Sequence, residues 1–238
     1  MKLEKNMVIP VSGCDHRAKA SIPYLAALFM DLATEHSGIM GIGKDAMDAT
    51  GVFWIAVRTK LKIHRFPCRM EKVTVSTWPE TPGRIRCNRY YTMIKDGSPM
   101  VEAKTEWAVI DLKSGRPQKL SALYPEGMEH LTDVVCEEPF IRFDDDFAAA
   151  ETTGTYKVRS TDIDFGQHMN NVAYLRALFS SFSCEELDGM DINEVEIAFK
   201  AQSYEGDVLT IRRRKGDDGT DYVMIRENGD ISALIHVS

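Results

Sequence analysis

Long apolar runs are missing from this chain: nowhere in its 238 residues is there a stretch approaching the ~20 consecutive apolar residues that a bilayer-spanning helix needs, so no membrane span is expected. The opening Met1-Lys2-Leu3-Glu4-Lys5-Asn6 carries positive charge but no apolar stretch of signal-peptide length, so secretion is not indicated. Cysteine is sparse. The five thiols, at 14, 68, 87, 136 and 184, are odd in number and form no Cys-x-x-Cys pair, which argues against a disulfide framework and a zinc knuckle. Reduced thiols in a bacterial-type cytoplasm fit better. The six histidines never fall at His-x-x-x-His or a similar ligand spacing, and Asp162 with Asp164 is too thin a basis for a metal, so neither metal nor other cofactor is expected. An excess of basic residues is also lacking. With 29 Lys and Arg against 36 Asp and Glu, the net charge of −7 opposes binding to a nucleic-acid backbone. A small or carrier-borne substrate remains.

What is present is an ordinary globular composition, 44% hydrophobic and 27% charged, in a chain longer than the usual single domain of roughly 100 to 150 residues. Ser21 and Pro23 open a helix over 22–40 in which Ile22, Leu25, Ala26, Phe29, Leu32 and Ala33 share one face. Four strands are predicted after it, Phe53–Ile63, Lys72–Trp78, Arg84–Ile94 and Val101–Leu112, punctuated by Pro79, Pro82-Gly83 and Asp96-Gly97. The stretch 137–154, with three consecutive aspartates and little periodicity, reads as a linker. The order then repeats. A strand over Tyr156–Ser160, a helix from an Asn171 cap to about Cys184, and strands at Glu194–Ala201, Asp207–Arg214, Tyr222–Arg226 and Ile231–Val237 follow. Tyr24-Leu25-Ala26-Ala27-Leu28-Phe29 echoes Tyr174-Leu175-Arg176-Ala177-Leu178-Phe179, each after an aspartate, Asp15 or Asp164, which favours duplication. An apolar helical stripe and a one-sided sheet bury each other most simply when the sheet wraps the helix. The expected fold is therefore α+β, a tandem double hotdog: an N-terminal unit over 1–136, a linker over 137–154 and a C-terminal unit over 155–238, each an antiparallel sheet around a long helix.

Ser160 to Tyr174 holds the densest cluster of reactive side chains and lies just before a helix. A helix start offers unpaired N–H groups and partial positive charge, suited to the oxyanion formed when a nucleophile attacks a thioester. Asp164 and His168 supply proton handling there. Taken without further context, the same residues read more readily as helix caps and a structural histidine.

The segment resembles the signature of acyl-acyl carrier protein thioesterases, Asp-x-Asp-x-Asn-x-His-Val-Asn-Asn-x-x-Tyr, with Asp162, Asp164, His168, Asn170, Asn171 and Tyr174 matching. Ala20-Ser21-Ile22-Pro23, Trp54-Ile55-Ala56-Val57-Arg58 and Val73 to Pro79 resemble that family's early elements, so the likeness spans nearly the whole chain. It implies a catalytic second half, a first half that shapes the acyl tunnel, and acyl carrier protein bearing an acyl-phosphopantetheine as partner. Gly166 stands where plant members carry Asn, and Gln202-Ser203 where they carry Glu-Cys. The expected site is Asp164, His168, Asn170, Asn171, Gln202 and Ser203, with Asp164 and His168 activating water, Gln202 helping to hold it, and amides near 170–172 as the oxyanion hole. Covalent catalysis by Ser203 would require a base within reach. An acyl-CoA thioesterase and a noncatalytic acyl-binding hotdog protein are the alternative readings, and a monomer or a homodimer satisfies the tandem arrangement. Two basic clusters, Arg212 to Lys215 and Arg58, Lys60, Lys62 and Arg65, are candidate carrier contacts, and Met7, Met30, Met40, Met47 and Met70 are candidate acyl-pocket residues.

Overall fold

The computed structural model describes residues 1–124, 127–128 and 130–238. The chain divides into two compact units, Met1–Pro139 and Phe140–Ser238, the boundary falling inside the stretch read as a linker.

The first unit contains strands β1 (Leu3–Val8), β2 (Val52–Ile63), β3 (Lys72–Pro79), β4 (Arg86–Lys95) and β5 (Ser98–Asp111), with helices α1 (Ile22–Ile39) and α2 (Lys44–Thr50). Its sheet runs in the order β1-β3-β4-β5-β2 with antiparallel neighbours. The 18-residue α1 starts where expected, because the Ser21 side chain accepts from Tyr24 N and Pro23 sits in the first turn. It buries Ile22, Leu25, Ala26, Phe29, Leu32, Ala33 and His36, a stripe at three- and four-residue spacing. Phe29 stacks on Tyr91 of β4 with ring centroids 5.1 Å apart. Two elements escaped the sequence reading. The charged residues of β1 hide its pairing with β3, and α2 is too short for a periodic signal.

In the second unit, strands β6 (Glu151–Lys157), β7 (Glu194–Phe199), β8 (Val208–Gly216), β9 (Gly219–Arg226) and β10 (Ile231–Val237) run in the order β7-β10-β9-β8-β6, again antiparallel. Its helices are α3 (Asn171–Phe179) and α4 (Cys184–Asp188). Each unit is thus a sheet with a helix against it, as the duplicated reading requires. Two expectations need correction. The helix predicted to reach Cys184 stops at Phe179, because the Ser180 and Ser181 hydroxyls bond back to the carbonyls of Ala177 and Leu178 and Ser183 then caps a separate helix through a capping box with Glu186. The strand expected over Tyr156–Ser160 begins at Glu151, since Thr152, Thr153 and Thr155 favour extended backbone and Gly154 takes up a bulge. Upstream, Phe147 is buried against Ala198, Val223 and Leu234, and its neighbour Asp144 pairs with Arg214 at 3.0 Å, so this stretch is packed rather than free.

His36 lies in the core at 1% exposure, and burial together with the Arg89 guanidinium pushes its pKa down from 6.5 to about 4. Between those two values the unfolded chain takes up a proton that the folded one refuses, so stability is present above pH 6.5 and is lost as pH falls toward 4. Urea titrations across that window are expected to show this slope, and His36→Gln to flatten it; an unchanged slope in the variant contradicts the assignment.

Candidate active site

The site grows out of a short loop between β6 and α3. A single turn over Ser160–Asp162 leaves Asp162 buried at 3% exposure, where its carboxylate accepts from the Tyr156 hydroxyl and the Arg159 amide, both at 2.9 Å. The Asp162 carbonyl accepts from Asn170 twice, from the backbone N at 2.9 Å and from Nδ2 at 3.1 Å, while Asn170 Oδ1 accepts from Ala173 N at 2.9 Å. Asn170, not Asn171, is therefore the cap of α3, and its side chain is fully engaged in closing the loop and starting the helix.

Within this clamp, Ile163 bridges Met169 and Asp164 N donates to the His168 carbonyl at 3.1 Å. Gln167 takes a left-handed φ of 62° to turn the chain, and Asp164 Oδ1 accepts from Gly166 N at 2.8 Å. The loop's far side is fixed by Met169 N donating to the Ser203 carbonyl at 2.8 Å. The carboxylate and the imidazole meet over Gly166. A β-carbon at that position would lie 2.9 Å from His168 Nε2 and 3.0 Å from Asp164 Oδ1, closer than side chains tolerate. The absence of a side chain at 166 thus leaves room for both atoms to approach one point, and a β-carbon there would require the end of the His168 ring to move. Both Asp164 and His168 are partly solvent-accessible. Beside them the N–H groups of Asn171 and Val172, first in α3, have no acceptor among the described residues, and Asn171's side chain is likewise uncommitted.

Two expected residues stand differently. Ser203 is 0% exposed; its hydroxyl donates to Ser232 Oγ at 2.9 Å and accepts from the Tyr174 hydroxyl at 3.1 Å. With only hydroxyls around it and no base in contact, it cannot serve as a nucleophile, and its role is to hold α3 and β10 together. Gln202 is exposed and accepts from the Tyr204 hydroxyl at 2.9 Å, which leaves its amide NH₂ available as a donor.

The first unit carries the same loop. Cys14 bridges Ala20, Asp15 N donates to the Lys19 carbonyl at 2.8 Å, Ala18 has a left-handed φ of 58°, and Ser21 caps α1. Read in that register, Asp15 corresponds to Asp164, Arg17 to Gly166, Lys19 to His168 and Ser21 to Asn170. Burial acts on the Asp15 carboxyl to raise its pKa, but hydrogen bonds from the Arg17 guanidinium at 2.8 and 2.9 Å and from the Lys19 amide outweigh it and hold the group below its ordinary range. That copy is a locked ion pair.

Apart from Lys215, the residues of both basic clusters have partners within the chain. Arg212 donates to the Phe147 carbonyl, Arg213 pairs with Glu151 and Arg214 with Asp144 and Asp221. Arg58 pairs with Glu106, Lys60 donates to the Pro139 carbonyl, Lys62 pairs with Glu138 and Arg65 with Glu71. Of the methionines singled out, Met7 lines a cavity described below, whereas Met40 is buried in the core and Met70 is 66% exposed.

Comparison with known proteins accords with this geometry. Residues 1–126 match the model of the acyl-ACP thioesterase N-terminal domain, and 147–238 that of the C-terminal domain. The chain belongs to the acyl-ACP thioesterase family. It is 24% identical over 212 residues to the oleoyl-acyl carrier protein thioesterase 1, chloroplastic, of Arabidopsis thaliana, covering 80% of this chain and 57% of the relative. An oleoyl-acyl carrier protein thioesterase of Coriandrum sativum is likewise 24% identical, with 56% of its length covered, and the chain spans about half the length of the curated relatives it matches. Among solved structures, an acyl-ACP thioesterase from Bacteroides thetaiotaomicron superposes with a TM-score of 0.88 at 21% identity, covering 99% of this chain and 96% of that one. The 12:0-ACP thioesterase from Umbellularia californica gives 0.84 at 15% identity, over 100% and 96% of the two chains. These likenesses show the fold, the double hotdog.

Loss of the cap in Asn170→Ala is expected to destabilise the chain by about 1 kcal/mol or more, because both loop closure and helix start are lost. Ser203, in contrast, is expected to resist labelling by a serine-directed fluorophosphonate. A urea midpoint unmoved in the first case, or modification at 203 in the second, contradicts this account.

Proposed function

We propose that this chain hydrolyses fatty acyl thioesters carried on the phosphopantetheine of acyl carrier protein, releasing free fatty acid. The observation that carries the reading is the convergence of Asp164 Oδ1 and His168 Nε2 on Gly166 beside the open N-terminus of α3. Asp164 accepts a proton from a water molecule oriented by His168, and the hydroxide oxygen attacks the thioester carbonyl carbon. The developing oxyanion is met by the N–H groups of Asn171 and Val172 and by the positive end of the helix. Collapse breaks the C–S bond, and the proton held at Asp164 passes to the departing thiolate. Gln202 contributes its free amide as a donor to the water or the carbonyl, and the Asn171 side chain stands at the same helix start.

The acyl chain is assigned to the first unit. A cavity of about 470 Å³, open to solvent on one side, lies there between β1 and α1, with Met7, Leu28, Leu32 and Val75 as its apolar lining and Asn6 and Asp31 beside them. That volume falls within the range of roughly 300 to 1,000 Å³ typical of small-molecule sites. The Lys5 ammonium and the Glu35 carboxylate, 2.5 Å apart, span its rim. No helix among the described residues is long and apolar enough to cross a membrane. The five free cysteines, with Cys68 and Cys184 exposed, suit a reducing compartment such as the cytoplasm.

A second reading, with coenzyme A as the carrier, is favoured by one observation: the arginines of the basic clusters that seemed available to an acidic carrier protein have partners within the chain. Thiol release from the same acyl group on the two carriers separates these readings.

Asp164→Asn and His168→Ala are each expected to lower kcat/KM on acyl carrier protein thioesters by about a hundredfold or more while the variants remain folded by circular dichroism. If both retain activity within about tenfold of wild type, a barrier change under ~1.4 kcal/mol, the assignment is wrong.

A further inference from the structure

Among the described residues, the core of the first unit holds a cation with no anion against it. Arg89 is 4% exposed, and every partner it has among those residues is neutral: one NH₂ group donates to His36 Nδ1 at 2.9 Å and Thr77 Oγ1 at 3.4 Å, the other to Ser37 Oγ at 3.2 Å and toward Met40 Sδ at 3.9 Å. A guanidinium stays charged in a protein, so it cannot escape burial by losing a proton. Because it can only donate, His36 Nδ1 must accept, which places the imidazole hydrogen on Nε2. That Nε2–H is buried with no acceptor among the described residues. On the same side of the sheet, facing α1 through the Phe29 stack, the Tyr91 hydroxyl is buried with no acceptor at hydrogen-bonding distance among the described residues, and the Trp107 indole N–H is directed at its oxygen. The result, among the described residues, is one buried positive charge and two unsatisfied donor groups, the His36 Nε2–H and the Tyr91 O–H, in a single layer. Orphaned buried donors each cost free energy, and an uncompensated buried cation costs several kcal/mol.

This cluster adjoins the cavity assigned above to the acyl chain. Leu32 of the cavity wall is one helical turn before His36, and Val75 is two residues before Thr77 on the same face of β3. We propose that Arg89, with His36 and Tyr91, forms an internal carboxylate site that receives the far end of an ω-carboxy acyl chain. The chain would enter with a negatively charged tip that neutralises Arg89 and accepts from the surplus donors. The inference rests on placing the acyl chain in the first unit, and it adds the chemical class of the chain's end.

Calorimetric titration of the full chain with medium-chain fatty amides, each with and without a carboxylate at its far end, tests the site without any need for turnover. At least one carboxy-ended amide is expected to bind about tenfold or more tightly than its methyl-ended counterpart. The preference should vanish in Arg89→Met and shrink in Tyr91→Phe, which removes only the unpartnered hydroxyl and keeps the ring stack should the first variant not fold. Equal or weaker binding across the carboxy-ended series overturns the inference and leaves the cluster to buried water alone. Thioester hydrolysis is measured on the same samples. A chain that shows the carboxylate preference but cleaves no thioester defeats the proposed activity and keeps the site, whereas cleavage without the preference does the reverse.

Discussion

The two hydrogen bonds that the Asp162 carbonyl accepts from Asn170 hold the rest of the site in place. They close the loop between β6 and α3, and they put the Asn170 side chain where it can start the helix. Everything chemical sits on that frame: the carboxylate one side of the turn, the imidazole on the other, and two unpaired amides at the end of α3. The buried Asp162 carboxylate, bound by Tyr156 and Arg159, fixes the loop in turn to β6. Such a frame spends polar side chains on geometry so that a few neighbouring groups stay uncommitted, which is what preorganisation requires.

The two units show how one loop can be given opposite roles. Backbone bonds, bridge and left-handed turn residue recur in both, so the fold of the loop does not depend on its reactive side chains. What differs is the residue two after the aspartate. Arg17 closes over Asp15 and converts it to a neutralised strut. Gly166 closes over nothing, and the space it leaves is taken by His168 Nε2 and Asp164 Oδ1. A duplicated module can thus retain its packing in one copy and expose a carboxylate in the other through a few side-chain changes.

Much of this was legible in the residues themselves. Duplication, the α1 stripe and the strand order follow from periodicity and turn residues, and they correspond to the observed elements with boundaries displaced by a few positions. The errors have physical origins. A run of serines ended α3 early because hydroxyls compete for helix carbonyls, an effect that apolar spacing does not register. Ser203 looked like a reactive group because sequence carries no depth; only the fold shows it enclosed by Tyr174 and Ser232. Asp164 and His168 were visible as a spacing, but the room that Gly166 leaves for them was not, since it lies in a contact that a side chain there would disturb. Likewise the arginines at 212 to 214 read as a docking surface until their partners, distant in sequence, were known.

The central claim is that the clearance above Gly166 lets a carboxylate and an imidazole act on one water molecule. The most direct measurement is the turnover of Gly166→Ala on a fatty acyl thioester, alongside its melting temperature. The account predicts a loss of about tenfold or more in kcat with the melting temperature close to that of wild type, because the added methyl displaces the reactive pair while the Asn170 clamp is untouched. Wild-type turnover in this variant would contradict it.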